Sequence, residues 1–204
     1  PISQFLTTKL KAMKVSLIRI PTIIDVSAST APVCPPIGLA YLKKIVSDFT
    51  NEIQVIDSVG NYPKIRTIND GEFPISLLGQ TKDQIASWLA KDAEIILVSC
   101  MFSQDWYYAK KILKEIRLKC PESMIIAGGE HITALPKYSM ESAPEIDVCV
   151  LGEGEKTLQN ILQNIEHNGS IDKNLPGTCV RDKDGEIIQN MMHLCFQDLL
   201  LIVI

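Results

Sequence analysis

Five short, nearly continuous apolar runs punctuate this chain, at residues 15–20, 53–56, 95–98, 124–127 and 148–151. Runs of that length without polar alternation predict strands covered on both faces, as in a parallel sheet between two helical layers. Helical spacing fills the intervals. Residues 36–49 open on proline and set Leu39, Leu42, Ile45 and Val46 along one face. Residues 81–91 begin with Thr81 and Gln84, a capping-box spacing, and are expected to bury Ile85, Trp88 and Leu89. Residues 104–119 follow Ser103 as an N-cap, carry Asp105 in the first turn, and end before Pro121. Residues 156–167 form the last helix, which Asn168-Gly169 ends.

Strand and helix alternating in this way predict an α/β fold: a doubly wound, Rossmann- or flavodoxin-like, five-stranded parallel sheet with helices on both faces. Residues 58–80, with Gly60, Pro63, Gly71, Pro74 and Gly79, read as a long irregular connection. Residues 178–181 and 186–189 flank Asp184-Gly185, which predicts a small C-terminal β-hairpin. The expected organisation is an extension over 1–12, the α/β domain over 13–170, the hairpin over 171–190 and a tail over 191–204. Met13 stands just before the first strand, which suggests that residues 1–12 are upstream sequence. The run Leu199-Leu200-Leu201-Ile202-Val203-Ile204 has no turn behind it and is an aggregation hazard, so the tail is expected to be truncated.

Composition narrows the function classes. Of 204 residues, 46% are hydrophobic and 22% charged, which is globular, and the net charge of −4 argues against nucleic acid as a partner. No apolar run approaches the roughly 20 residues that span a bilayer, so no membrane partner is expected. Six scattered cysteines resemble small buried hydrophobes rather than a disulfide framework, and a cytoplasmic location is expected.

Ligands of doubly wound sheets sit outside the carboxyl ends of the strands. There this chain places Ser99-Cys100-Met101, Gly128-Gly129-Glu130-His131 and Gly152-Glu153-Gly154-Glu155. Paired glycines let a bulky ligand approach the backbone, although a tight turn needing positive φ would also require them. Ser99 is a short hydrogen-bonding group at the sheet edge, or simply its cap. Glu155 suits a helix N-terminus, and Glu153 reads equally as a solvated loop residue. The loop over 21–35 contains no glycine, which argues against a dinucleotide site, and no GxxxxGK phosphate loop occurs. A phosphorelay receiver would carry an acidic residue where this chain has Ser99. Ser27, Ser29 and Thr30 faintly suit a flavin phosphate, but Pro21, Pro32, Pro35 and Pro36 stiffen that loop.

Taken in order, these segments resemble the N-terminal cobalamin-binding domain of cobalamin-dependent radical S-adenosylmethionine (radical SAM) proteins. Pro35-Pro36-Ile37-Gly38-Leu39-Ala40-Tyr41-Leu42 is similar to the family's PPxGLxYL, and Val55-Ile56-Asp57 to its second-strand ending. Ser99-x-Met101 resembles SxL; Gly128-Gly129-Glu130-His131-Ile132-Thr133 resembles GGxHxT; and Asp147 through Gly152-Glu153-Gly154-Glu155 resembles D…GEGE. The likeness spans roughly residues 13–190. It implies that Ser99 and Met101 flank the dimethylbenzimidazole tail of cobalamin, that Gly128 and Gly129 make room for it, and that Glu130, His131 and Thr133 line the neighbouring loop. Pro36, Gly38, Cys100, Gly152, Glu153 and Gly154 complete the implied cofactor-binding set.

Two departures refine this. Methyltransferase and mutase cobalamin domains carry Asp-x-His-x-x-Gly after the first strand, where this chain has Asp25-Val26-Ser27. Cobalamin without a histidine lower ligand is therefore implied, with His131 a hydrogen-bonding group rather than a metal ligand. The radical half of such enzymes holds an iron–sulfur cluster on CxxxCxxC, and no cysteines here have that spacing. Gln197-Asp198-Leu199 resembles the linker into that half. The resemblance thus implies a cobalamin-binding module whose missing radical SAM domain brings the iron–sulfur cluster and S-adenosylmethionine, with methyl transfer as the expected parent reaction. No catalytic or metal-ligating residue is assignable within the chain. A cobalamin-free scaffold or partner-docking domain, and a flavodoxin-like flavin carrier, are the alternative readings.

Overall fold

The computed structural model describes residues 12–25, 27, 33–71, 73–182 and 184–191. Most of the expected extension, and the tail with its linker-like and apolar segments, lie outside the described residues, as do Ser29, Thr30 and Pro32. In chain order the elements are β1 (Val15–Arg19), β2 (Thr22–Ile24), α1 (Ile37–Ser47), β3 (Ile53–Asp57), α2 (Ser58–Asn61), β4 (Ile65–Asn69), β5 (Pro74–Leu78) and α3 (Lys82–Trp88). There follow β6 (Ile95–Ser99), a 3-10 turn (Ser103–Asp105), α4 (Trp106–Lys119), β7 (Met124–Gly128), α5 (Glu130–Ala134), α6 (Pro136–Ser142), β8 (Val148–Val150), α7 (Gly154–Asn168), β9 (Thr178–Arg181) and β10 (Ile187–Gln189).

The expected α/β architecture with a mostly parallel sheet is observed. The main sheet runs β10-β9-β8-β7-β6-β1-β3. All pairings from β3 through β8 are parallel, whereas β9 joins β8, and β10 joins β9, antiparallel. The apolar runs are continuous because successive residues enter two different cores. Val15, Leu17, Ile95, Leu97, Ile126 and Val150 face α1 and α7, while Ile18, Ile96, Val98, Ile125 and Cys149 face α3 and α4. Helix α1 has no side-chain cap at Pro36. Burial of Leu39 and Val46, at about 2 kcal/mol each, holds it more firmly than a cap worth ~1 kcal/mol would.

Several expectations need correction. Residues 58–80 are not irregular: β4 and β5 pair with β2 in a second, three-stranded antiparallel sheet ordered β2-β5-β4. Asp70-Gly71 lies in the β4–β5 turn with Gly71 at φ +93°, the hairpin signal that sequence reading passed over. Trp88 is 53% exposed, because α3 ends there and Leu89 takes the buried place. The capping box of Thr81 and Gln84 is present. Ser103 does not cap α4. It opens the 3-10 turn, and Asp105 occupies the N-cap position without a side-chain cap bond. Glu130, His131 and Thr133, expected to line a loop, lie instead in the short helix α5.

Candidate functional site

At their carboxyl ends β6 and β7 stop in register, Ser99 opposite Gly128 and, two residues deeper, Leu97 opposite Ile126. Both pairs face α1 and α7, and the sheet and these two helices enclose a cleft of about 560 Å³. Its floor is apolar: Leu17, Leu97, Ile126 and Val150. One wall is the first turns of α1, with Gly38, Leu39, Tyr41 and Leu42; the other is α7, with Gly154, Glu155 and Leu158. Met101, Glu130, Thr133, Gly152 and Glu153 form the rim with Gly129.

The two adjacent glycines do different things. Gly129 has φ +109°, and a Cβ there would lie 2.3 Å from the carbonyl oxygen of Cys100, so the fold itself demands glycine. A Cβ on Gly128 would meet only Val150, at an ordinary 3.8 Å, so its missing side chain leaves open space in the cleft. Gly38 would meet nothing within 4 Å, and Gly154 only Val150 and Leu42 at 3.5 Å and 3.7 Å. The rim is tied together by Thr133, whose Oγ1 accepts the Gly152 N–H at 2.9 Å, with Gly152 at φ +68°.

Ten of the thirteen residues expected at the site line this cleft: Gly38, Ser99, Met101, Gly128, Gly129, Glu130, Thr133, Gly152, Glu153 and Gly154. Pro36, Cys100 and His131 do not. Pro36 sits at the N-cap of α1, just outside. Cys100 follows Ser99 and, by strand alternation, enters the opposite core, where burial and nearby Asp105 push its thiol up to about 12. His131 is 3% exposed, stacks on Trp106 with ring centroids 4.6 Å apart, and pairs through Nδ1 with Ser103 Oγ at 2.9 Å. Burial lowers its pKa, and its Nε2 has no partner. Tyr41, Leu42 and Leu158 were not anticipated. Their helical spacing marked two apolar faces, but not that those faces meet.

The loops around the cleft are welded from behind. The Gln104 side-chain amide donates to the Ile23 carbonyl at 2.7 Å, and Asp105 Oδ1 accepts the Ile23 N–H at 2.7 Å, so one turn clasps both backbone groups of one β2 residue. Asp105 is 2% exposed, and desolvation raises its carboxyl to about 6 despite the N–H it accepts. With the folded pKa above the unfolded one, the stability this carboxyl contributes is fully present below pH ~4 and is lost as pH rises through about 6. Asp105→Asn keeps an oxygen for Ile23 without the buried charge. We expect it to stabilise the protein by about 1–2 kcal/mol at pH 7.5 and by nothing at pH 4. Urea midpoints at the two pH values check this, and an unchanged or lower midpoint at pH 7.5 would contradict it.

A second cavity of about 490 Å³ lies at the opposite end of the strands, between Met13, Glu94, Ser123 and Gly169. It is at the amino ends, where doubly wound sheets do not bind their ligands. Among the described residues no group of three or more His, Cys, Asp or Glu side chains could hold a metal ion, and no helix is long and apolar enough to cross a membrane.

Comparison with known proteins places this geometry in context. The profile of the family described as B12 binding domain matches residues 23–162. Cytidylyl-2-hydroxyethylphosphonate methyltransferase of Streptomyces wedmorensis is 27% identical over 154 residues, covering 74% of this chain and 28% of that protein. The cobalamin-dependent radical SAM methyltransferase TokK of Streptomyces tokunonensis is 24% identical over 120 residues, 58% of this chain and 17% of TokK. The structure of the cobalamin-dependent S-adenosylmethionine radical enzyme OxsB, with aqua-cobalamin and S-adenosylmethionine bound, superposes with a TM-score of 0.64 at 20% identity, over 92% of this chain and 23% of OxsB. The chain thus spans less than a third of the length of each of these relatives.

Proposed function

Because the chain belongs to the B12 binding domain family, we propose that the cleft at the carboxyl ends of β6 and β7 holds cobalamin, its nucleotide tail entering between the sheet, α1 and α7. The observation that carries this reading is the slot at Gly128: a strand-end position on the cleft side where no side chain stands and a Cβ would meet only Val150. The volume of about 560 Å³ suits a small-molecule site. The apolar floor suits a flat benzimidazole, and Ser99 and the Glu130 and Thr133 rim offer the few polar groups that orient such a ligand. Four of the parallel strands, β1, β6, β7 and β8, supply residues to the cleft.

When bound, cobalamin supplies a cobalt centre able to take up and pass on a methyl group. The residues of this chain bind and orient it and keep water from the tail. Among the described residues no histidine lines the cleft, and His131 instead pairs with Ser103 and stacks on Trp106, which supports the reading that cobalamin would be held here without a histidine ligand. None of the cleft residues is assigned a catalytic role. We read the chain as the cofactor-holding module of a cobalamin-dependent radical SAM system, working with a partner domain that carries the iron–sulfur cluster and S-adenosylmethionine. The named relatives, several times longer than this chain, support methyl transfer as the parent reaction. A cytoplasmic setting, with neither nucleic acid nor membrane as partner, completes the proposal.

The test is to incubate the chain with hydroxocobalamin, remove free cofactor by gel filtration and record the visible spectrum of the protein peak. The expected result is about one cobalamin per chain, the number of such clefts, with the spectral shift of a displaced benzimidazole. A folded but colourless peak would overturn the reading.

A further inference from the structure

Three carboxylates, Glu130, Glu153 and Glu155, line the cleft, and among the described residues no lysine, arginine or histidine lines it with them. Among those residues no ion pair or side-chain hydrogen bond engages any of the three. Other carboxylates of this chain do find a cation, such as Asp57 with Arg19, Asp70 with Lys111, Glu115 with Lys82 and Asp147 with Arg117, but among the described residues no cation stands in the cleft lining to serve these three. Glu130 and Glu155 stand in the first turns of α5 and α7, where a helix dipole favours them. That does not account for Glu153, which precedes α7 and makes no side-chain cap bond. Three uncompensated acceptors around one mouth repel an anionic ligand edge and welcome a neutral edge made of N–H donors.

Resting on the reading of the cleft as a cobalamin site, we propose that Glu130, Glu153 and Glu155 read the amidation state of the corrin ring. Primary amides project from the rim of cobalamin, each a neutral group with two N–H donors. Hydrolysis of one amide to a carboxylate keeps size and shape almost unchanged but removes the donors and adds a negative charge. At an acidic rim the amide is a hydrogen-bond partner, and the carboxylate is a like charge with nothing to donate. The phosphodiester of the nucleotide tail is common to both ligands and cancels from the comparison. The trio would thereby select fully amidated corrinoids against partly amidated ones of the same shape.

The experiment compares equilibrium binding of hydroxocobalamin with that of its three propionamide-derived monocarboxylic acids at pH 7.5 and low salt, read by absorbance after gel filtration. At least one monoacid is expected to bind about tenfold more weakly than cobalamin or worse, the size of effect that one like charge at the margin of a protein site produces. The gap should narrow at high ionic strength. It should close in the triple variant Glu130→Gln, Glu153→Gln, Glu155→Gln, with the single variants and circular dichroism as controls for folding. Equal binding of all three monoacids and cobalamin to the wild type overturns the proposal, as does a gap that survives in the triple variant. Failure of cobalamin itself to bind is a distinct result: it removes the site, and this inference with it.

Discussion

Replacing Gly129 by alanine is expected to cost the protein about 3 kcal/mol or more, a large part of the stability of an ordinary domain. Two effects add. The residue holds φ at +109°, which a side chain adopts only with strain, and the new Cβ would lie 2.3 Å from the Cys100 carbonyl oxygen. Neither side can yield easily. The clashing atom is backbone, and the Cys100 N–H is itself bonded to the Gly128 carbonyl at 2.9 Å. Urea unfolding of the variant beside Gly128→Ala, whose Cβ meets only ordinary contacts, isolates the effect. Equal midpoints for the two variants would show that the approach of β6 and β7 is looser than described.

Gly128→Leu is expected to do the reverse: to leave the fold within about 1 kcal/mol of wild type and to abolish cobalamin retention, by a hundredfold or more in affinity. The position shares its sheet face with Ile126, and a leucine there extends the apolar floor into the space between β7, α1 and α7. A ligand that needs this space cannot share it with four extra carbon atoms, because packed interiors do not yield by that much. Gel filtration with hydroxocobalamin, alongside urea midpoints, separates blocked binding from lost folding. If the Gly128→Leu protein still elutes coloured, at wild-type stoichiometry, the tail must lie outside this slot.

Much of the architecture was legible in the sequence because the strands of the main sheet are buried on both faces. Runs such as Ile95 to Val98 send alternate residues into two cores and so leave no polar position to blur them. The small sheet was not legible for the opposite reason. Its strand β2 has three residues and finds its partner β5 some fifty positions later, so nothing local announces that pairing, and Asp70-Gly71 signals only the turn between β4 and β5. The candidate site was legible as a set of strand ends, since topology alone brings Ser99, Gly128 and Gly152 to one edge. Individual duties were not. Gly128 and Gly129 look alike until the Cys100 backbone is in place, and His131 looks like a rim residue until Trp106 and Ser103 draw it behind the sheet.

The two helical walls of the cleft have a consequence for how the protein comes to hold anything. Helix α1 ends at Ser47 and α7 begins at Gly154, yet they touch each other and enclose the same space. No fragment that stops short of α7 contains the cleft, so during synthesis the chain cannot capture a ligand until every parallel strand of the sheet has been made. Once captured, the ligand acts as a staple between an early and a late segment. It stabilises the finished fold by RT ln(1 + [L]/Kd), about 2.7 kcal/mol at a hundredfold excess over Kd, and gives nothing to any partial one. Cofactor retention would thus report that α1 and α7 have docked against the assembled parallel strands.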